Sequence, residues 1–93
     1  MDYLKLFIEV AQVSRPTYRD KIKLTDLNTP LTATELDSLD CLMIGMYLCE
    51  IYGIDEEVSK TMQPSTPQGY FDFCNEHKTR EPSSAEEALS WIV

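Results

Sequence analysis

The sequence predicts an all-α protein: a bundle of three long helices and one short one, followed by a tail helix. Three observations predict it. Apolar residues recur at i, i+3, i+4 and i+7 in separate segments, the spacing that lines one helix face. Ser, Thr or Asp stands just ahead of most of these segments, where a side-chain oxygen can accept from the unpaired N–H groups of a first helical turn. The chain has 93 residues, 43% hydrophobic and 26% charged. That is enough for one domain with one small core, and too apolar for a disordered chain.

The first helix is read from "DYLKLFIEVAQV", where Leu4, Phe7, Ile8 and Ala11 fall on one face, and it ends before Pro16. From Arg15 to Glu35 the apolar residues Ile22, Leu24, Leu27 and Leu31 are isolated among Thr, Asp, Asn and two prolines. A long ordered loop pinned by those side chains is expected, with a solvated basic patch at Arg15, Arg19, Lys21 and Lys23. The second helix opens at Asp37 or Ser38, either of which can cap it, and runs to about Tyr52 with Gly53 as its stop. "IDEEVSKTM" supplies one or two acidic turns. Thr66 followed by Pro67 starts the last long helix, whose stripe is Tyr70, Phe73, Cys74 and His77. Beyond Lys78, Ser83 or Ser84 with Glu86 or Glu87 makes a capping box for a tail helix striped by Ala85, Ala88, Leu89 and Ile92. The organisation is therefore residues 1–78 as the helical body and 79–93 as linker and amphipathic tail.

Charge and cysteine content narrow the function. Residues 1–30 hold five Lys/Arg and four Asp/Glu, whereas residues 31–93 hold three and twelve. The acidic part repels phosphate backbones and anionic lipid, which disfavours nucleic-acid and membrane binding and favours partners with basic surfaces. Three cysteines without CxxC or Cys/His spacing give neither a disulfide framework nor a zinc site, so a reducing cytoplasm is the expected compartment. The start of the chain carries Asp2, Lys5 and Glu9 among its apolar residues and reads as neither signal peptide nor membrane span. Ser38 has no GxSxG context, His77 is the single histidine, and no phosphate-binding glycine motif is present; an enzyme is not expected.

The order of parts is specific: a helix, a long loop, Asp37-Ser38-Leu39 opening an apolar helix, a short acidic helix, and a closing helix begun by Thr-Pro. It resembles the acyl carrier protein family over residues 2–78, most strongly in "LDSLDCLMIGMYLCEIYG". The resemblance implies a four-helix bundle with a short third helix, and 4'-phosphopantetheine carried covalently on Ser38 with Asp37 beside it. It also implies a phosphopantetheinyl transferase and acyl-handling enzymes of fatty acid or polyketide biosynthesis as partners. Under the same resemblance Cys41, Ile44, Leu48 and Tyr52 form the inward face of the helix. Leu39, Asp40, Met43, Met46 and Glu50 form the partner-docking face, on a chain that is monomeric, or else dimeric.

This would be a divergent member. Glu35 stands where the family often has glycine, Met43 and Cys49 stand where acids are usual, and Ile54-Asp55 replaces an Ile-Pro pair. Those departures support a second expectation: an unmodified carrier-like module that binds or mimics a carrier to regulate an acyl-handling enzyme. The tail, with Trp91 beside its stripe, is expected either to cover the docking face and gate it or to pad the bundle elsewhere.

Overall fold

The computed structural model describes residues 2–14, 26–33, 36–62 and 64–92, and the described residues are helical without a strand. The helices are α1 (Tyr3–Ser14), α2 (Ser38–Ile51), α3 (Glu56–Ser59), α4 (Pro67–His77) and α5 (Ala85–Ser90), with one 3-10 turn at Leu31–Ala33. The chain is all-α. The expected basic patch at Arg15, Arg19, Lys21 and Lys23, and the loop anchors Ile22 and Leu24, lie outside the described residues.

α1 lies at the centre, packed against α2, α4 and α5. Its fully buried residues are Leu6, Phe7, Val10 and Ala11, while Leu4 and Ile8 are only partly buried. The buried arc is therefore rotated from the stripe expected from spacing. A helix with three neighbours buries a wider sector than one resting on a single surface, so the simple stripe misplaces its centre. The same happens on α4, where Phe71 is buried beside Tyr70 and Cys74, and Phe73 and His77 stay half-buried with their rings 4.5 Å apart. Phe71 meets Tyr3 at 4.8 Å and Tyr70 meets Phe7 at 5.6 Å, tilted contacts that suit the aromatic quadrupole and lock α4 to α1.

The punctuation follows the sequence closely. Thr66 caps α4 by accepting from the Gly69 N–H, and Pro67 occupies the first turn, where its missing N–H costs nothing. α2 ends in a Schellman turn. The Ile54 N–H reaches the Cys49 carbonyl at 2.8 Å, the Gly53 N–H reaches the Glu50 carbonyl, and Gly53 takes φ +65°. Of the loop anchors, Leu31 is buried in the core. Its backbone N–H binds the Ser65 carbonyl, while the Leu27 carbonyl accepts from Gln68, so this stretch is tied to the start of α4.

The tail does not cover the outer face of α2, where Leu39, Leu42 and Met46 stay exposed. α5 is capped by Ser84, with Ser83 bonded to the Glu87 carboxylate, and its Ala85 and Ala88 enter the common core against α1. Small side chains allow a six-residue helix to sit close to α1. The outer face of α2 is left in solvent, and of the two expectations for the tail it is the padding of the bundle that the packing supports.

Candidate functional site

The N-terminal end of α2 is held by a reciprocal capping box. The Asp40 N–H donates to the Asp37 carboxylate at 2.8 Å, and the Asp37 N–H donates to the Asp40 carboxylate at 3.2 Å. Asp37 has an extended backbone and is the cap; Ser38 is the first helical residue and is exposed. The Ser38 hydroxyl is therefore not needed to close the helix. It stands where the N–H groups of the first turn lack intrahelical partners and the helix dipole favours a negative group.

Asp40 requires a correction. It was expected on the outward face as part of an acidic docking surface, but it is only 5% exposed. Its position, third in the helix, turns it back onto the cap, where its charge faces the positive end of the dipole. The remaining docking residues divide. Leu39 and Met46 are 64% and 57% exposed, Glu50 is exposed, and Met43 is half-buried. Leu42, at 61% exposure, belongs to the same surface and was missed. Leu39, Leu42 and Met46 follow an i, i+3, i+7 spacing that signals a shared face, but a helix apolar on every side gives no indication of which face points outward.

The inward set also needs adjusting. Ile44, Leu48 and Tyr52 are fully buried, whereas Cys41 is half-buried and lines a groove between α2 and α3. The groove has a volume of about 450 Å³. It begins at Ser38, runs past Cys41, Leu42 and Gly45, and ends against Met62 and Tyr70. Glu56 and Ser59 of α3, with Lys60 just beyond it, form its other lip.

Gly45 sets how closely the far wall can approach. A Cβ there would stand 3.2 Å from Met62 Sδ and 3.4 Å from Tyr70 Cε1, so any side chain would push into the groove's end. Tyr70 fixes that end by donating its hydroxyl to the Cys41 carbonyl at 2.8 Å. Burial raises the pKa of the Tyr70 phenol and of the Cys41 thiol, so both stay neutral near pH 7. Burial likewise pushes the Cys74 thiol, in the core, up to about 12. The raised values leave these thiols mostly protonated at neutral pH, so none is an activated nucleophile, although the half-buried Cys41 remains reachable from solvent.

The electrostatic setting is one-sided. No Lys or Arg stands in the sequence between Lys23 and Lys60, so every charged side chain of α2 is acidic. Among the described residues no group of three or more His, Cys, Asp or Glu is placed to hold a metal ion, and no helix is long and apolar enough to cross a membrane. No protein-family model, curated protein or solved structure matches the chain.

Proposed function

We propose that this chain is a divergent acyl carrier protein, with 4'-phosphopantetheine attached to Ser38 and an acyl group carried as a thioester on its terminal thiol. One observation supports it above the rest: Ser38 is exposed at the head of α2, spared from capping by Asp37 and Asp40, at the mouth of an apolar groove.

Each residue has a task under this reading. The Ser38 oxygen forms a bond to the β-phosphorus of coenzyme A, the pyrophosphate P–O bond breaks, and adenosine 3',5'-bisphosphate leaves. The hydroxyl proton passes to a base of the phosphopantetheinyl transferase. The first turn of α2 favours the resulting phosphodiester anion. Asp37 keeps that turn formed and stands beside the magnesium-dependent chemistry of attachment. Once bound, the arm supplies the thiol that holds the cargo. Cys41, Leu42, Gly45 and Met62 offer the cargo an apolar wall, at about 0.8 kcal/mol for each methylene withdrawn from water.

Acyl-handling enzymes dock on Leu39, Leu42 and Met46, with Met43 at the edge and Asp37 and Glu50 as flanking charge for a basic surface. The protein performs no chemistry alone, works in the cytoplasm, and takes the four-helix carrier bundle with α5 as an addition. The apolar centre of that face favours one rival, an unmodified module that holds an acyl-handling enzyme.

Intact-mass measurement decides between them. Incubation with coenzyme A and a broad-specificity transferase is expected to add one arm to the native chain and none to Ser38→Ala. If neither a panel of transferases nor the one from its own host adds an arm to the native chain, the carrier reading gives way to the regulatory module.

A further inference from the structure

The groove has one firm wall and one lightly held one. α2 and Tyr70 are anchored in the core, but α3 is a four-residue helix with no buried residue; its one apolar side chain, Val58, is only partly buried against the core, and its main helix contact is with α2. Little apolar area resists its movement. What positions α3 is therefore the turn that joins it to α2, at Tyr52, Gly53 and Ile54.

That turn is fastened from a distance. The backbone N–H groups of Thr79 and Arg80 both donate to the Tyr52 carbonyl, at 2.9 and 3.2 Å. The Thr79 hydroxyl donates to the Gly53 carbonyl. The Arg80 guanidinium donates to the Ile51 carbonyl at 3.0 Å and the Glu50 carbonyl at 2.6 Å, and its charge faces the negative end of the α2 dipole. The fit is tight, since a Cβ on Gly53 would collide with Thr79 Oγ1 and fall 3.2 Å from Arg80 Cγ. Arg80 is in turn covered by Trp91, whose ring lies 4.5 Å from the guanidinium carbon. Trp91 closes α5, and α5 is seated on α1 through Ala85 and Ala88.

We propose that residues 79–91 are a clip through which docking of the tail helix sets the opening of the α2–α3 groove. With α5 seated, Trp91 holds Arg80 against the end of α2, Thr79 and Arg80 hold the Tyr52–Gly53 turn, and α3 is kept against the groove. When α5 lifts from α1, Arg80 loses its cover, the turn is released and α3 swings away from Ser38 and Cys41. Anything that binds the tail or the α1 face beneath it would thereby change access to the groove, with reciprocal coupling between the two sites. The consequence for an attached acyl group rests on the carrier reading; the mechanical linkage does not, and it exists in the unmodified chain.

Cys41 reports the groove directly, because it lines it while Cys49 and Cys74 are buried in the core. The test is the rate at which iodoacetamide alkylates Cys41 in the full, unmodified chain, followed by peptide mass spectrometry, with Cys74 as the internal control for general unfolding. Trp91→Ala is expected to raise the Cys41 rate about threefold, the loss of one cation–π contact at a solvent-accessible site. Arg80→Ala is expected to raise it about tenfold, the loss of charged hydrogen bonds. In both variants Cys74 stays as protected as in the native chain.

Two results would overturn the clip: a Cys41 rate unchanged in both variants, or Cys41 and Cys74 rates rising together. Lys60→Ala, which alters the groove lip but not the clip, should leave the effect of Trp91→Ala intact; if it abolishes that effect, the coupling does not run through the turn. Failure of arm attachment at Ser38 would leave every one of these outcomes readable.

Discussion

At its N-terminal end α2 is closed by Asp37 and Asp40, three positions apart, whereas at its C-terminal end the carbonyls of Glu50 and Ile51 are met by an Arg80 side chain 30 and 29 positions away. Both ends satisfy backbone groups that a helix leaves unpaired. The difference lies in what each solution leaves open. The capping box uses no chain from elsewhere, so nothing needs to pass over Ser38. The far end is covered by the strap that serves it. A reachable hydroxyl and a fastened hinge therefore sit on one helix, and the groove lies between them.

Gly53→Val is the strongest way to break the comparison at the fastened end. Gly53 has φ +65°, which a β-branched residue adopts only under strain, and the added atoms collide with Thr79 and Arg80. A loss of about 3 kcal/mol is expected from the left-handed penalty and the overpacking together. Urea unfolding would show it as a lower midpoint with unchanged slope. A loss below about 1 kcal/mol would mean that the turn relaxes freely and that the strap does not define it.

At the open end the expected effects are smaller and separable. Asp37→Ala removes the cap acceptor and should cost about 1 kcal/mol. Ser38→Ala leaves the capping box intact and should fall within about 0.5 kcal/mol of the native chain. If Ser38→Ala proved as damaging as Asp37→Ala in the same urea series, the serine would be a structural cap and its availability for modification would be lost.

The contrast between the ends also explains what could be read from the sequence. Asp37, Thr66–Pro67, Ser84 and Gly53 act on neighbours within a few positions, and each stops or starts a helix where its chemistry says it should. The Arg80 bonds and the Trp91 stack could not be read, because they join segments whose closeness depends on the whole bundle. Burial fell between these cases. Spacing identified faces on α1 and α4, yet the buried centre moved to Leu6 and Val10, and to Phe71, because neighbouring helices decide which sector is covered. On α2 the candidate site was legible at Ser38 and Asp37. Asp40 was assigned outward although its own cap turns it in, and Leu42 was missed because the helix is apolar on both sides. The groove was not legible at all, since it depends on Gly45 letting Met62 and Tyr70 approach α2.

The smallest expected effect sharpens the question of what seats the tail. Lys5 and Glu86 pair at 2.8 Å between α1 and α5, with side chains 47% and 72% exposed. Their mutual hydrogen bond raises the Lys5 pKa above its ordinary 10.5 and lowers that of Glu86 below its ordinary 4.5. Any stability from Lys5 is full below 10.5 and disappears as pH rises through its folded value; any from Glu86 is full above 4.5 and disappears as pH falls through its folded value. The pair therefore acts across the whole neutral range, but between two hydrated side chains it should be screened almost completely. Glu86→Gln is expected to leave the urea midpoint unchanged at neutral pH in moderate salt, and to leave the Cys41 alkylation rate at the native value. If instead it opened the groove as Trp91→Ala is expected to, the tail would be held by surface charge, and salt would act on it directly. An unchanged rate would assign the seating of α5 to the buried alanines and the Trp91–Arg80 contact rather than to this surface ion pair.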